Sequence, residues 1–401
     1  MTTAADLLAE ARGLLPELAS LRRDLHRHPE LGGQERRTAA LIAERLQRLG
    51  LEVRTGVAGT GVVGLLHARA GGPAIALRAD IDALPVEESN EVPYRSAVPG
   101  VSHACGHDGH TVIQLGAAEL LCRHAAELSG SVLFLFQPSE DTLPGGALAM
   151  IRDGALRAPS LHGVAPRGIL SLHLNPGFPQ GTVAVKEGWA TASSLGFRMR
   201  IIGRGGHVAE PSEVVNPLLL AARLIEEAEA LRREMAREAE PLILAFASVH
   251  GGTAANVIPE TVELSGSLRA PTPELLADAL ERFQELARAV SEPAGARFEL
   301  ELEEGYPPVF NDPGLTARLR EAAAAVVGAD RVAALQRVLA TGDDVAYFHQ
   351  RVPGVYWQLG TGDPERGFGH PLHSPRFDFD EELLALGAAI QARAAWELMP
   401  V

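Results

Sequence analysis

The chain has 401 residues, 46% of them hydrophobic and 22% charged, a globular composition that excludes intrinsic disorder and fibrous architectures. At roughly 150 residues per domain, this length predicts two or three domains. With 36 basic against 51 acidic residues the formal net charge is −15, which repels phosphate backbones and anionic lipid, so neither a nucleic acid nor a membrane partner is expected.

Leu7, Leu8, Leu14, Leu15, Leu18 and Leu21, then Leu41, Ile42 and Leu46 before Gly50, recur at helical spacing and predict two amphipathic helices. From Leu51 the period changes. Short strands are predicted at 51–54 and 61–66, followed by the apolar run Ala74-Ile75-Ala76-Leu77, which reads as a buried strand. Two more apolar runs, 131–136 and 168–172, alternate with helical stretches at about 111–128 and 145–156. Such alternation predicts an α/β fold, a mostly parallel sheet with flanking helices. Near residue 190 the texture shifts: a strand at 196–202, a helix at 217–237, strands at 243–250 and 262–269, a helix at 273–290 and a strand at 297–302. That is the split β-α-β order of an α+β ferredoxin-like domain. A helix at 315–327 and an apolar strand at 355–359 resume the α/β pattern. A smaller domain, 190–300, is therefore inserted into a discontinuous one made of 1–189 and 301–401.

Lys186 is the only lysine, which argues against P-loop and Schiff-base chemistries. Cys105 and Cys122 are too few for a disulfide framework, and Met1 to Asp6 lacks the basic-then-apolar run of a signal peptide. A cytoplasmic location is expected. Gly59-Thr60-Gly61-Val62-Val63-Gly64 matches the dinucleotide fingerprint, with Asp80 and Asp82 near the distance of a ribose-binding acid. The fingerprint requires its last glycine to open a helix, yet Gly71-Gly72-Pro73 arrives too soon for a crossover. The segment reads as a hairpin.

Ligands in open α/β sheets bind outside the carboxyl ends of the strands, and candidate metal ligands stand there repeatedly. Asp80 and Asp82 follow the 74–77 run; Gln137-Pro138-Ser139-Glu140-Asp141 follows 131–136; His173 follows 168–172; His373 lies beyond 355–359. Between the first two, His103-Ala104-Cys105-Gly106-His107-Asp108-Gly109-His110 opens a helix. A lone buried His or Asp ordinarily satisfies a local hydrogen bond, but thiolate, imidazole and carboxylate gathered at strand ends are the donors of a zinc-type site. Cys122, beside Leu120 and Leu121, reads as core packing. His26, His28, His67, His124, His162, His250 and His349 read as structural or exposed, and His110 is left unassigned.

Arg23-Asp24-Leu25-His26-Arg27-His28-Pro29-Glu30-Leu31, Arg78-Ala79-Asp80-Ile81-Asp82-Ala83-Leu84-Pro85, the loop 105–108 and Gln137-Pro138-Ser139-Glu140-Asp141 resemble the metal-dependent amidohydrolases related to aminoacylase. Within them the chain is similar to the hippurate hydrolase and indole-acetyl-amino-acid hydrolase branch. Gly203-Arg204-Gly205-Gly206-His207, Asn256-Val257-Ile258-Pro259, Gly266-Ser267-Leu268-Arg269 and His373-Ser374-Pro375 continue the resemblance in family order.

The resemblance implies a zinc-peptidase-like catalytic domain with a lid, and two divalent metal ions, zinc or manganese, held by Cys105, His107, Asp141, His173 and His373. Asp141 stands where the branch usually has glutamate, one methylene longer. Pro211-Ser212 replaces Pro-His after the lid histidine, and Asp343-Asp344 replaces a Glu-Asp pair. Glu140 would be the general base, Asp82 the partner that orients a ligand histidine, His207 the oxyanion stabiliser, and Asn256 with Arg269 the grip on a substrate carboxylate. The implied activity is hydrolysis of the amide bond of N-acyl-amino acids. The alternatives are a metal-dependent carboxypeptidase or dipeptidase acting on short peptides, and a catalytically weak binding homologue. A homodimer built through the 190–300 domain, or a higher homo-oligomer built from such dimers, with His207 acting across subunits, is the implied assembly.

Overall fold

The structure, a computed structural model, describes residues 2–69, 72–157, 165–236 and 242–399. The chain divides into two compact units, one of Met1–Gly188, Val309–Leu335 and Asp343–Val401, the other of Trp189–Pro308 and Gln336–Gly342.

The first unit begins with helices α1 (Ala4–Arg27) and α2 (Arg36–Arg48) and strands β1 (Glu52–Val57), β2 (Gly61–His67) and β3 (Ala74–Asp80). It continues through α3 (His107–Arg123), β4 (Ser131–Gln137), α4 (Ala147–Arg152), β5 (Gly168–Pro179), β6 (Val183–Val185) and the two-residue β7 (Gly188–Trp189). The second unit holds β8 (Ser193–Ile202), β9 (Gly206–His207), α5 (Pro217–Met235), β10 (Ile243–His250), β11 (Val257–Ile258), β12 (Thr261–Ala270), α6 (Pro273–Ser291) and β13 (Arg297–Glu304). The chain then returns through β14 (Phe310–Asn311), α7 (Pro313–Val327), β15 (Val332–Ala334), α8 (Val345–His349), β16 (Gly354–Gly362) and α9 (Glu382–Leu398).

The first unit is built on an eight-stranded sheet in the order β1-β2-β4-β3-β5-β16-β6-β15. β3 runs parallel to β4 and β5, and β16 runs parallel to β5, so the central strands deliver their carboxyl ends to one side. β2, β3 and β4 are buried almost throughout, which is why β3 and β4 read as unbroken apolar runs. β1 and β2 form an antiparallel hairpin, so the glycine-rich segment at 59–64 turns a corner and opens no helix.

Spacing explains α1, whose Leu7, Ala11, Leu14, Leu18, Leu21 and Leu25 share one buried face. Thr3 and Asp6 cap each other's backbone N–H at its start. Helix α3 is buried on nearly every side. A Cβ on its Gly116 would lie 2.9 Å from Ala388 of α9 and 3.2 Å from Leu18 of α1, so only glycine lets the three helices meet there.

The second unit carries a four-stranded antiparallel sheet, β10-β12-β8-β13, with the β-α-β-β-α-β chain order of a ferredoxin-like fold. Leu224, Ala228, Phe283 and Ala287 of its helices pack on Phe197, Met199, Ile201 and Leu264 of the sheet. Its limits differ from the 190–300 expected: β13 runs on to Glu304, and Leu339 pairs with Ala190 and Ala192, drawing residues 336–342 into the unit. Non-local pairing of this kind leaves no local sequence signal.

Candidate metal centre

Side chains gather in the first unit where β3, β4 and β5 deliver their ends. Asp82 stands two residues past β3, the turn Ser139-Glu140-Asp141 follows β4, and His173 lies inside β5, which continues to Pro179. Cys105 and His107 enter from the start of α3. Gly106 between them has φ +83°, a left-handed conformation that turns the chain sharply and lets both neighbours face inward. His373, also left-handed at φ +64°, is fixed by its backbone N–H, which donates to Ala104 at 2.8 Å. A non-glycine residue in that region is costly and persists only where its surroundings enforce it.

Among the groups of potential donors brought together here, two share Cys105, one with His107 and His173 and one with Asp141 and His373; within each, one ligand atom per residue lies within 4.8 Å of the others. Cys105 Sγ is 3.6 Å from His173 Nε2, His107 Nε2 is 3.8 Å from Asp141 Oδ2, and His373 Nε2 is 3.5 Å from Asp141 Oδ1. Metal–ligand bonds of about 2.0–2.3 Å in a tetrahedron place donors roughly 3.3–3.8 Å apart. The observed separations fit a shared ion better than direct contact. His107 Nε2 and Asp141 Oδ2 are both buried without a hydrogen-bond partner, as donors awaiting a cation are.

The remaining atoms of these side chains are fixed from behind. Nδ1 of His107 faces the backbone oxygen of Asp82 at 3.0 Å and its Oδ1 at 3.2 Å, while Nδ1 of His173 donates to Leu174 O at 2.7 Å. Each ring therefore donates from Nδ1 and turns Nε2 towards the other donors. His110 behaves differently: its Nδ1 meets Asp80 Oδ1 at 2.5 Å and its Nε2 accepts from Leu174 N at 2.9 Å. With both nitrogens engaged, it supports the centre and is not a donor to it.

The electrostatics single out the same side chains: against the effect of burial, Asp80 and then Cys105 hold His107 well above the usual imidazole range. Burial, with Asp343 and Asp141 nearby, pushes the Glu140 carboxyl well above the usual carboxylate range. Burial likewise raises Asp141, against the opposing pull of His107, and raises the Cys105 thiol, with Asp141 adding to it. Burial and then His110 hold His173 well below the usual imidazole range. Arg78, fully buried, sits between Asp80 at 2.9 Å, Asp343 at 3.1 Å and Asp344 at 3.0 Å. Glu140 adds a fourth carboxylate within 4.8 Å of the last two. One guanidinium cannot neutralise four carboxylates, so this cluster is one that a divalent cation nearby would favour. The Asp343-Asp344 pair, unassigned from sequence, is thus the counter-charge of Arg78.

Cys122 is partly buried against the helical core, away from these donors. His26 is buried between Asp108 and Glu88, whereas His28, His67 and His124 pair with nearby carboxylates at the surface. His349 Nδ1 lies 2.9 Å from Phe310 O, and His250 is exposed. His162 lies outside the described residues. Sequence reasoning missed Arg78 and also Arg22, which is fully buried and donates to Asp108 at 2.8 Å and Asp378 at 2.7 Å, since an isolated arginine carries no signal that it will be buried.

In the second unit His207 sits on β9, which pairs with β11 through Val257. Its Nδ1 accepts from Ala209 N at 3.1 Å, which leaves Nε2 to face outward partners. Asn256 is exposed immediately before β11. Arg269 donates from Nη1 to Ala340 O at 2.7 Å, so one arm of its fork is already engaged.

Residues 76–397 match the sequence model of peptidase family M20/M25/M40. The chain belongs to that family. As a family member it is a metal-dependent amidohydrolase or peptidase. It is 34% identical over 398 residues to an IAA-amino acid hydrolase of Arabidopsis thaliana (ILR1-like 4), covering 97% of this chain and 87% of the relative. It is 32% identical over 381 residues to thermostable carboxypeptidase 2 of Saccharolobus solfataricus, covering 94% of each. Among solved structures, the YXEP protein of Bacillus subtilis, titled a dinuclear metal binding peptidase of the M20 family, superposes with a TM-score of 0.82. That match has 31% identity and covers 97% of this chain and 99% of that one. The M20 likeness therefore spans both units.

Proposed function

We propose that the chain hydrolyses the amide bond of N-acyl-amino acids, using two divalent ions, zinc or manganese, held by Cys105, His107, Asp141, His173 and His373. The observation that carries this is the unpartnered pair His107 Nε2 and Asp141 Oδ2, with Cys105 common to two donor sets. Two such ions, when bound, lower the pKa of a water and polarise an amide carbonyl. Glu140, buried beside these donors, would take a proton from the attacking water at its carboxylate and pass it to the leaving amine. Asp82 keeps the His107 ring in the donor tautomer. From the inserted unit, His207 steadies the developing oxyanion, and Asn256 with Nη2 of Arg269 grips the substrate carboxylate, while Nη1 and Nε of Arg269 hold Ala340 O and Ser267 Oγ.

Likeness to an IAA-amino acid hydrolase favours acylated amino acids, and likeness to a carboxypeptidase supports short peptides as the second reading. A panel of acetyl-, benzoyl- and indole-acetyl-amino acids run beside dipeptides on the zinc- and manganese-loaded enzyme separates the two. Glu140→Gln should keep the metals and lose turnover by about three orders of magnitude or more. An active Glu140→Gln enzyme overturns the mechanism.

A homodimer through the inserted unit belongs to the same reading. Of its two sheet edges, β13 carries Glu299, Glu301, Glu303 and Glu304 and repels a copy of itself. β10 runs eight residues with no Asp, Glu, Lys or Arg, the kind of edge that a partner strand covers. The free thiols of Cys105 and Cys122 suit a reducing cytoplasm.

A further inference from the structure

Glu35 is the residue at the start of α2, yet its side chain does not cap that helix. It is fully buried, and its carboxylate reaches across the fold. Oε1 accepts the backbone N–H of Ser139 at 2.9 Å, and Oε2 accepts the hydroxyl of Thr60 at 2.6 Å. Ser139 is one of three non-glycine residues with positive φ among the described residues, at +54°, and it immediately precedes Glu140. A residue with a Cβ avoids this region unless held there. On the other side of Glu140, the N–H of Asp141 donates to Asp82 Oδ2 at 3.0 Å. Two buried carboxylates from distant parts of the chain thus pin the turn immediately before and after Glu140. Gly32 leaves room for the arrangement, since a Cβ there would meet Ser139 and Thr142 at 3.1–3.2 Å.

We propose that Glu35 is a positioning residue: by accepting the Ser139 N–H it holds Ser139 left-handed and so fixes where Glu140 and Asp141 point. Freed of that bond, Ser139 relaxes towards ordinary φ and swings both carboxylates off their aim. This inference rests on the reading of Glu140 as base and Asp141 as ligand.

The decisive variant is Glu35→Met, which keeps the volume but accepts no hydrogen bond. Its kcat should fall about 10- to 100-fold with KM within about threefold, as expected for a misplacement near 1 Å. Zinc affinity, read by chelator competition, should weaken about tenfold because Asp141 shares the turn. Glu35→Gln, which keeps the Oε1 acceptor, should stay within about threefold of the parent in both readouts. The distinguishing test is Glu35→Met combined with Ser139→Gly. Glycine adopts positive φ without cost, so the double variant should recover most of the lost kcat and zinc affinity. A group that merely filled the core would gain nothing from a glycine 104 residues away. Wild-type kcat and zinc affinity in Glu35→Met, or a loss that Ser139→Gly leaves unrepaired, overturns the proposal. Glu140→Gln run alongside separates the two readings: if it is active, the catalytic reading falls. If it is inactive while Glu35→Met is unaffected, the positioning role falls alone.

Discussion

Oδ2 of Asp82 accepts the backbone N–H of Asp141 at 3.0 Å. The other oxygen of the same carboxylate lies 3.2 Å from Nδ1 of His107, so one side chain aligns two donors, one from the start of α3 and one from the turn after β4. Asp82→Asn retains the size but presents an N–H where an acceptor is needed. Metal affinity should fall about 10- to 100-fold with the fold intact, measured by chelator competition and thermal melting. Unchanged affinity would mean that the backbone oxygen of Asp82 suffices to orient His107.

The two cysteines should behave oppositely. Cys105→Ala removes a donor common to both sets and should abolish metal binding together with turnover, whereas Cys122→Ala, partly buried on α3, should lose about 1 kcal/mol of stability and little else. Elemental analysis of the purified variants decides this, and full metal content in Cys105→Ala sinks the assignment.

Asp141 reaches the centre with a short side chain on a backbone pinned by Asp82. Asp141→Ala should cost at least one ion per chain. Asp141→Glu, which extends the carboxylate by one methylene, should retain both ions and turn over substrate. If metal stoichiometry is the same in Asp141→Ala as in the parent, Asp141 is no ligand.

His26 predicts a pH effect on stability away from the centre. Burial and Arg22 lower its proton affinity, but Asp108 at 2.8 Å and Glu88 at 3.1 Å outweigh them and leave the imidazole pushed up to about 9. A folded pKa above the unfolded value stabilises fully below about pH 6.5, and the contribution disappears as pH rises through about 9. The stability gap between the parent and His26→Gln, from urea unfolding, should therefore narrow by on the order of 3 kcal/mol between pH 6 and pH 10. A gap independent of pH would show that the ring is neutral in the fold.

Much of this protein was legible in its sequence because the physics involved is local or periodic. Unbroken apolar runs marked β3, β4 and the start of β5 since strands covered on both faces need apolar side chains throughout. The switch to alternating texture near residue 190 marked the inserted ferredoxin-like sheet, and the placement of Cys105, His107 and His173 followed from strand ends and a helix start. Tertiary structure alone decided the rest. Nothing near Arg22 or Arg78 signals that a guanidinium will be buried, because its partners Asp378 and Asp344 arrive from more than 250 residues away. His110 resembles His107 in sequence, yet the amide of Leu174 takes the nitrogen that His107 leaves open. Glu35 looks like an ordinary residue at a helix start until the fold carries Ser139 to it. Composition and period specify which elements form and which faces they bury; which polar atoms meet inside depends on contacts between distant segments, where burial makes each unpaired group costly enough to enforce one arrangement.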